Sequence, residues 1–389
     1  MDSMNLFIAC LRCEMANMPI TMDKSAVLEP TKLEMIYQIA KQHDMLHLLS
    51  DVVWKSETSV PTDIKNKLKK KQIAAVWRYE QMQREQTRIF SALEQAGVDY
   101  LPLKGDVVRA CYPEPWMRTS CDIDVLVKRE DLERAVVALT ETLHYRNEGQ
   151  HYHDVSLFSP GGVHLELHFR LNVHEACADA LLENVWDHVV PVEGHRYAME
   201  TEFLMFYFVA HMAGHFTRGG CGIRSVLDLW LMEQKLSADA AVLRTYFEKA
   251  ELLQFYDGAR RLGTVWFGGQ THDELTEAME QYILTGGVYG SKDNRIAVTQ
   301  NRSVGTAGYW KSRLFLSRDL LQGVYPELEQ HPERYWFCQI KRWCRIFRKQ
   351  TRIRIKQEFH REQTISGDHV ASVGELLDQL NLHEKNSGR

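Results

Sequence analysis

The sequence predicts an α+β protein in which a small mixed sheet is flanked by helical regions on both sides. Residues with strand-like alternation are concentrated between positions 98 and 169. Before and after that stretch, apolar residues recur every three or four positions, which is typical of helices that bury one face. A chain of 389 residues is long enough for two or three domains. We expect an N-terminal helical region (1–97), a sheet-bearing core (98–192) and a C-terminal helical region (193–389).

The N-terminal region is predicted to be helical throughout. Leu33, Ile36 and Ala40 follow helical spacing, and a long helix is predicted over 64–95. Gly97 directly after it is a typical C-terminal cap, because glycine readily adopts the left-handed backbone that ends many helices.

Strands are predicted only in the core, at 98–103, 121–127, 153–158 and 163–169. Short helices are expected between them, at 105–111 and 131–143. The segment 159–162 contains Pro160 and two glycines, which favours a hairpin turn between the last two strands. No strand is predicted after residue 169.

The region after residue 175 is again predicted to be helical. The expected helices are 200–215, 222–234, 238–249, 255–267 and further long helices after 306. The glycine-rich, polar stretch 286–305 predicts a loop. Trp336, Trp343 and Phe347 are expected to pack in a core.

Composition narrows the class of protein. The chain is 44% hydrophobic and 25% charged, which excludes wholesale disorder and collagen-like or coiled-coil arrays. A net charge of −5 gives no global attraction to nucleic acid or membranes. Eight cysteines at irregular positions do not form the dense pattern of a disulfide framework, so we interpret them as reduced thiols. The chain shows neither signal-peptide features nor a membrane-spanning apolar stretch, and we predict a cytoplasmic protein.

Two carboxylates on one strand are the most informative feature of the sequence. In the segment Cys121-Asp-Ile-Asp-Val-Leu-Val127, alternation places Asp122 and Asp124 on one face and the aliphatic residues on the other. Neighbouring like charges destabilise a strand unless a partner neutralises them. Because Mg²⁺ prefers carboxylate oxygens, the pair predicts a divalent-metal site.

A second strand repeats this pattern. Its segment His164-Leu-Glu-Leu-His-Phe169 places Glu166 with two histidines on one face. Three carboxylates on adjacent strands are able to hold two metal ions, an arrangement that supports in-line displacement at phosphorus. The pattern therefore favours phosphoryl or nucleotidyl transfer.

A nucleotide-binding turn is predicted where the first strand meets a helix. Gly105 permits close backbone approach, helix amides are expected to offer an anion site, and Lys104 adds positive charge for a polyphosphate. Arg118 is placed to contribute a second charge. The alternatives are that Lys104 is an ordinary surface lysine and that Arg118 pairs with Glu114 or Asp122.

The chain resembles the uncharacterised nucleotidyltransferase family of the DNA polymerase β-like superfamily. The residues that carry the resemblance are Leu103-Lys-Gly105, the Tyr112-Pro113 turn, Arg118, Asp122-Ile-Asp124 and Glu166-Leu-His168. They cover about residues 98 to 172, and the likeness extends more loosely through 210–215 and 224–228.

This resemblance implies Mg²⁺ or Mn²⁺ held by Asp122, Asp124 and a third carboxylate, and transfer of a nucleoside monophosphate from NTP with release of pyrophosphate. Glu166 would be the third metal ligand or the base for the acceptor. Lys104-Gly105 stands where most of the superfamily has Gly-Ser or Gly-Gly, so the hydroxyl that would touch a phosphate is absent.

Further polar residues are predicted to line a substrate cleft between the core and the C-terminal helices. They are His168, His211, His215, Arg224 and Asp228. Each has a structural alternative. His168 is also suited to a neutral hydrogen-bonded role, the i and i+4 pair His211 and His215 to a zinc pair, and Arg224 with Asp228 to an ion pair along a helix.

Two basic clusters lie at 65–71 and 341–356. The second holds eight positive charges and no acid, interleaved with Trp343, Ile346 and Phe347. That pattern suits an RNA backbone, an acidic protein or an anionic surface, and its alternative is a solvated or intramolecularly paired face.

These observations predict a Mg²⁺-dependent nucleotidyltransferase with an unidentified acceptor, either a small molecule, a peptide or a protein. One alternative is a toxin-like nucleotidyltransferase that acts on tRNA, which the cluster at 341–356 motivates. Another is a non-catalytic nucleotide-binding or scaffold protein with the same fold, although three intact carboxylates argue against it.

Overall fold

A seven-stranded mixed sheet lies at the centre of the molecule, in the strand order β3-β4-β5-β2-β1-β7-β6. The computed structural model describes residues 3–16, 30–54, 60–288, 290–303, 305–328 and 330–383. The strands are β1 (Tyr100–Pro102), β2 (Asp122–Val127), β3 (Arg146–Gln150), β4 (Asp154–Phe158), β5 (His164–His168), β6 (Val189–Glu193) and β7 (Arg196–Met199). β2 pairs in parallel with β5 and antiparallel with β1.

Helices precede and follow the sheet along the sequence, which confirms the predicted α+β fold class. Those before and within the core are α1 (Ser3–Met15), α2 (Pro30–Gln42), α3 (Leu49–Trp54), α4 (Thr62–Gln95), α5 (Gly105–Ala110), α6 (Leu132–Val137) and α7 (Ala176–Leu182). Those after the sheet are α8 (Thr201–Phe216), α9 (Ile223–Lys235), α10 (Ala240–Lys249), α11 (Leu253–Gly268), α12 (Glu274–Gly286), α13 (Lys292–Arg302), α14 (Gly305–Leu314), α15 (Arg318–Gln322), α16 (Tyr335–Cys344), α17 (Lys349–Thr364) and α18 (Gly367–Gln379). Among the described helices, none is both long and apolar enough to cross a bilayer.

The long helix α4 determines which face of the sheet is closed. Met82, Ile89 and Leu93 of α4 pack in one core with the aliphatic face of β2 and β5, such as Val125 and Leu165. Gly97 follows the helix with φ 63°, as the predicted cap requires. Because α4 covers the aliphatic face, the polar residues of β2 and β5 point to the opposite side of the sheet.

The predicted hairpin between β4 and β5 is confirmed, since these strands pair antiparallel with Phe158 opposite His164. The prediction that strands end at residue 169 is wrong, because β6 and β7 follow. The edge strand β3 was also not predicted. Both β3 and β6 end the sheet, and β3 has no large apolar residue while β6 contains Pro191. Edge strands tolerate such residues because only one side needs ladder hydrogen bonds.

The predicted loop at 286–305 is also wrong over most of its length, because α13 occupies 292–302. Ser291 caps this helix by accepting a hydrogen bond from the amide of Asn294. Ile296 and Val298 are buried, and the Asn294 side chain donates to the Tyr282 carbonyl at 3.1 Å. Because these polar side chains form hydrogen bonds within the protein, the helix has the composition of a loop, and a prediction from composition misses it.

The expectation that Trp336, Trp343 and Phe347 form a core is wrong for two of them. Trp336 is 60% exposed and Phe347 is 82% exposed. Trp343 is half-buried and donates its indole N–H to the Leu314 carbonyl at 2.8 Å. The small core beneath α16 is formed instead by Leu321, Tyr325, Leu328 and Cys338.

All eight cysteines are free thiols, which agrees with their interpretation from spacing.

Candidate active site

Three carboxylates converge on the polar face of the two central parallel strands. In the β2–β5 register, Asp124 lies opposite Glu166 and Asp122 lies opposite His164. Ligand atoms of Asp122, His164 and Glu166 all lie within 4.8 Å of one another, and so do those of Asp124, Glu166 and His168. Asp122, Asp124 and Glu166, hereafter the carboxylate cluster, are therefore neighbours as expected, while their role as metal ligands stays a prediction.

The carboxylate cluster is an electrostatically strained arrangement. Burial raises the pKa of Asp122 to about 6, and the neighbouring charges of Asp124 and Glu166 act in the same direction. Burial also opposes ionisation of Asp124, but the hydrogen bond from His168 and the charge of Lys104 outweigh it and lower its pKa to about 2. The two aspartates thus differ chiefly because Asp124 accepts a hydrogen bond from His168.

His168 supplies that partner. Its Nε2 donates to Asp124 Oδ1 at 3.1 Å and lies 3.5 Å from Glu166 Oε2. Burial would lower the pKa of His168, but these two carboxylates outweigh it and raise the pKa to about 9. The two carboxylates thus favour the protonated form of the imidazole. Beyond it, His164 Nε2 lies 2.8 Å from Ser156 Oγ and its ring stacks on Phe158.

Lys104 stands at the turn between β1 and α5. Its side chain is half-buried, and its Nζ lies 5.1 Å from the centroid of the Tyr207 ring on α8. Burial lowers the pKa of Lys104 to about 8, while the three acids of the carboxylate cluster oppose that shift. The turn is tied to β2 because the amide of Leu103 donates to the Asp124 carbonyl at 3.0 Å. Lys104 is thus not an ordinary surface lysine.

Gly105 is not required by packing within the protein. A Cβ at this position would lie 3.6 Å from Arg109 Nη1, which is an ordinary contact. Gly105 does line a cavity together with Lys104 and the carboxylate cluster. The expectation of a helix-amide anion site is weakened here, because α5 has only six residues.

Arg118 forms a buried ion pair, but with neither of the partners considered from sequence. Its Nε lies 3.0 and 3.1 Å from the two carboxylate oxygens of Asp228, and Nη2 is 3.0 Å from Oδ2. Tyr112 donates its hydroxyl to Asp228 Oδ1 at 2.7 Å. Asp228 is 2% exposed. This network fixes the loop before β2 to helix α9.

Arg224 anchors the same loop one turn earlier on α9. Its Nη1 donates to the carbonyl and the hydroxyl of Thr119 at 2.9 and 3.0 Å. Since Asp228 accepts from Arg118 and Tyr112, the predicted ion pair along the helix is not how these two residues are used. Sequence reasoning missed the contributions of Tyr112 and Thr119, and no spacing signal connects them to residues more than 100 positions away.

His211 and His215 lie on the side of the cavity formed by α8, with ring centroids 4.4 Å apart. Burial lowers the pKa of both, to about 4 for His215, with help from nearby Lys104 and Arg218. Both imidazoles are therefore neutral at neutral pH. Among the described residues, no third ligand completes a metal group with them, so the structure does not support the zinc-pair alternative.

A glycine brings α8 close to the chain that follows β5. A Cβ at Gly214 would lie 1.9 Å from the Val173 carbonyl oxygen, which is far inside van der Waals contact. Only glycine permits this approach, and the histidines one position after and three before it are thereby held beside the sheet.

These elements enclose a cavity of about 360 Å³. Its lining includes ten residues predicted from the sequence: Lys104, Gly105, Arg118, Asp122, Asp124, Glu166, His211, His215, Arg224 and Asp228. His168 lies directly behind Asp124 and Glu166, to which it is bonded. A volume of this size is typical of small-molecule sites.

A mixed sheet that carries paired carboxylates beside a lysine-bearing turn is the arrangement that the resemblance to nucleotidyltransferases implies. The sequence matches the family of uncharacterised nucleotidyltransferases over residues 29–268, more than half of the chain, and the protein belongs to that family. The match spans the whole sheet together with helices from α2 to α11, so it extends well beyond the residues on which the resemblance was based. Comparison with curated proteins and with solved structures gives no match.

Proposed function

We propose that this protein is a divalent-metal-dependent nucleotidyltransferase that moves a nucleoside monophosphate from NTP to an acceptor bound in the cavity. The observation that carries the proposal is the carboxylate cluster, which stands on two paired strands and lines a cavity. Membership of a nucleotidyltransferase family supports the same reaction class. Cytoplasmic localisation stays a prediction.

The carboxylate cluster fits Mg²⁺ or Mn²⁺. Its donors are hard oxygens, and Glu166 lies close enough to each aspartate to share an ion with it. Burial and the neighbouring charges of Asp124 and Glu166 raise the pKa of Asp122, and a bound cation would relieve both costs. Asp122, Asp124 and Glu166 would hold the metal, with His164 and His168 beside them. When bound, the metal would neutralise charge on the polyphosphate and favour in-line displacement.

The chain's own cations would bind the polyphosphate. Lys104 faces the carboxylate cluster from the adjoining turn, and Gly105 lines the cavity beside it. Arg118 lines the same cavity, with its guanidinium oriented by Asp228. An arginine fixed in this way loses little conformational freedom when a phosphate arrives, which strengthens binding.

In the proposed reaction, an oxygen or nitrogen of the acceptor attacks the α-phosphorus of the NTP. The bond between that phosphorus and the bridging oxygen breaks, pyrophosphate leaves, and the acceptor gives up its proton. Glu166 serves either as the third metal ligand or as the base that takes this proton. Catalysis would come chiefly from positioning and charge neutralisation.

The acceptor would enter beside helix α8, where neutral His211 and His215 offer hydrogen bonds without added charge. A small molecule, a peptide or a protein side chain with a hydroxyl, phosphate or amine would meet this requirement. A second candidate is the end of an RNA, which the exposed basic segment 341–356 favours.

A thermal-shift screen tests the proposal. Wild-type protein is heated with ATP, GTP, CTP or UTP, each with and without MgCl₂ or MnCl₂. We expect at least one NTP to raise the melting temperature only with metal, since ligands that bind the folded state stabilise it. Asp122→Asn should abolish this increase, whereas exposed Glu141→Gln should retain it. The absence of stabilisation by every nucleotide and metal pair would contradict the proposal.

A further inference from the structure

Five cations of the segment 341–356 form an exposed surface, hereafter the C-terminal basic surface. Arg348, Lys349, Arg352, Arg354 and Lys356 are all exposed. In the described part of the chain, their side chains have neither a hydrogen-bond partner nor an ion-pair partner. Lys349, Ile353 and Lys356 recur at intervals of four and three, so they share one face of α17.

The acids of helix α17 do not neutralise this surface, because they point toward the protein. Glu358 accepts from Arg313 at 2.7 Å, and buried Glu362 accepts from Gln300 at 2.9 Å. Together with half-buried Thr351 and Ile355 they form the inward face of the helix. The cationic face of α17 is therefore left without an intramolecular counter-charge.

Aromatic side chains within the basic segment and on the preceding helix are exposed to solvent. Phe347 lies within the basic segment and is 82% exposed, while Trp336 and Phe337 on α16 are 60% and 64% exposed. Ile340 continues that outward face at 53% exposure. Contiguous exposed apolar groups such as Trp336, Phe337 and Ile340 are typical of interaction sites.

We propose that the C-terminal basic surface binds single-stranded RNA, with the cations on the phosphates and Phe347, Trp336 and Phe337 as stacking platforms for bases. Charge complementarity requires a polyanion, and flat exposed rings favour unpaired bases, which offer a π-face regardless of sequence. An acidic protein would satisfy the cations but would leave the rings without a matching partner. In the cytoplasm that the sequence predicts, the single-stranded polynucleotide is RNA.

Fluorescence anisotropy with a labelled oligouridylate, without nucleotide or metal, tests this binding. The full chain is compared with Phe347→Ala and with the double variant Arg352→Gln/Lys356→Gln. Exposed positions on α4 provide matched controls: Trp77→Ala, at a ring 65% exposed, and Lys70→Gln/Lys71→Gln. Thermal melting checks that every variant folds like the wild type.

We expect Phe347→Ala to weaken binding about tenfold, as for loss of one stacked base. The double variant should lower the slope of log affinity against log salt by about 1.4, because two phosphate contacts are lost. Both controls should bind like the wild type. An RNA duplex should bind more weakly than the oligouridylate.

Several results would overturn the proposal: no binding at low salt, equal losses in the control variants, no effect of Phe347→Ala, or displacement of RNA by poly-glutamate as effectively as by unlabelled RNA. The last result would assign the surface to an acidic protein. Since the assay contains neither NTP nor metal, its failure leaves the proposed nucleotidyl transfer untouched. Failure of the nucleotidyltransferase experiments likewise leaves the proposed RNA binding untouched.

Discussion

The cations around the cavity and those of the C-terminal basic surface differ in how they are held. Arg118 is bound to Asp228, Arg224 to Thr119, and Lys104 lies against Tyr207. Arg348, Lys349, Arg352, Arg354 and Lys356 are exposed, and these five have no such partners in the described chain. Fixed cations suit one ligand in one pose, whereas unrestrained cations suit a flexible polyanion.

The largest effect is expected at the cavity, where Asp122→Asn should lose nucleotidyl-transfer activity. Removing one carboxylate of the cluster should reduce nucleotidyl transfer at least about a hundredfold, because charge stabilisation at the phosphorus is lost. Transfer of label from α-³²P-NTP into acceptors from a cell extract measures it. Glu141→Gln is the control. A variant that unfolds without altering the response to Mg²⁺ would show that the site assignment is wrong.

Breaking the anchor of Arg118 should be the next largest effect. Asp228→Asn leaves a buried guanidinium without its counter-charge and should lower the free energy of unfolding by about 4 kcal/mol. Tyr112→Phe removes only one hydrogen bond and should cost about 1 kcal/mol. Urea unfolding measures both. Equal losses in the two variants would mean that the ion pair does not anchor the loop.

Acid should destabilise the protein through its buried neutral histidines. Burial lowers the pKa of His43 to about 4, so between its unfolded value of 6.5 and that pH only the unfolded chain takes up the proton. Stability due to His43 is therefore complete above pH 6.5 and declines as the pH falls, by roughly 3 kcal/mol at about pH 4.

Urea unfolding at about pH 7 and pH 4 checks this prediction. His43→Gln should lose less stability over that interval than the wild type, and exposed His360→Gln should lose as much. If the wild type and His43→Gln lost equal stability, the buried imidazole would not be the acid-sensitive group.

The smallest of these effects concerns the approach of α8 to the sheet. Gly214→Ala places a methyl group against the Val173 carbonyl and should cost about 2 kcal/mol through displacement of the helix. It should also weaken NTP-induced stabilisation, because His211 and His215 move with α8. Gly367→Ala, where a Cβ meets no atom within 4 Å, is the control. Equal melting temperatures for the two variants would contradict the close approach.

The carboxylate cluster was predictable because its signal is local. A half-buried strand forces alternation, so Asp122, Asp124 and Glu166 are assigned to one face from sequence alone. The pairing of Arg118 with Asp228 was not predictable, because it joins a loop to a helix 110 residues later. Helical periodicity shows that Asp228 lies on a helix but not which loop packs on it.

The remaining errors have physical causes of the same kind. Strands β3 and β6 lie at the sheet edges and lack clean apolar alternation, so period-based reasoning misses them. Helix α13 satisfies polar side chains internally and therefore resembles a loop in composition. The aromatic residues Trp336 and Phe347 were assigned to a core because hydrophobicity alone does not distinguish a buried ring from an exposed one.

Direct binding of Mn²⁺, followed by electron paramagnetic resonance of the free ion, tests the central assignment most closely. The wild type and Glu141→Gln should remove Mn²⁺ from solution, and added NTP should tighten that binding. Asp122→Asn and Asp124→Asn should bind at least about tenfold more weakly, since a carboxylate ligand is lost. Equal Mn²⁺ binding in all four proteins, with or without NTP, would contradict a metal site on these strands.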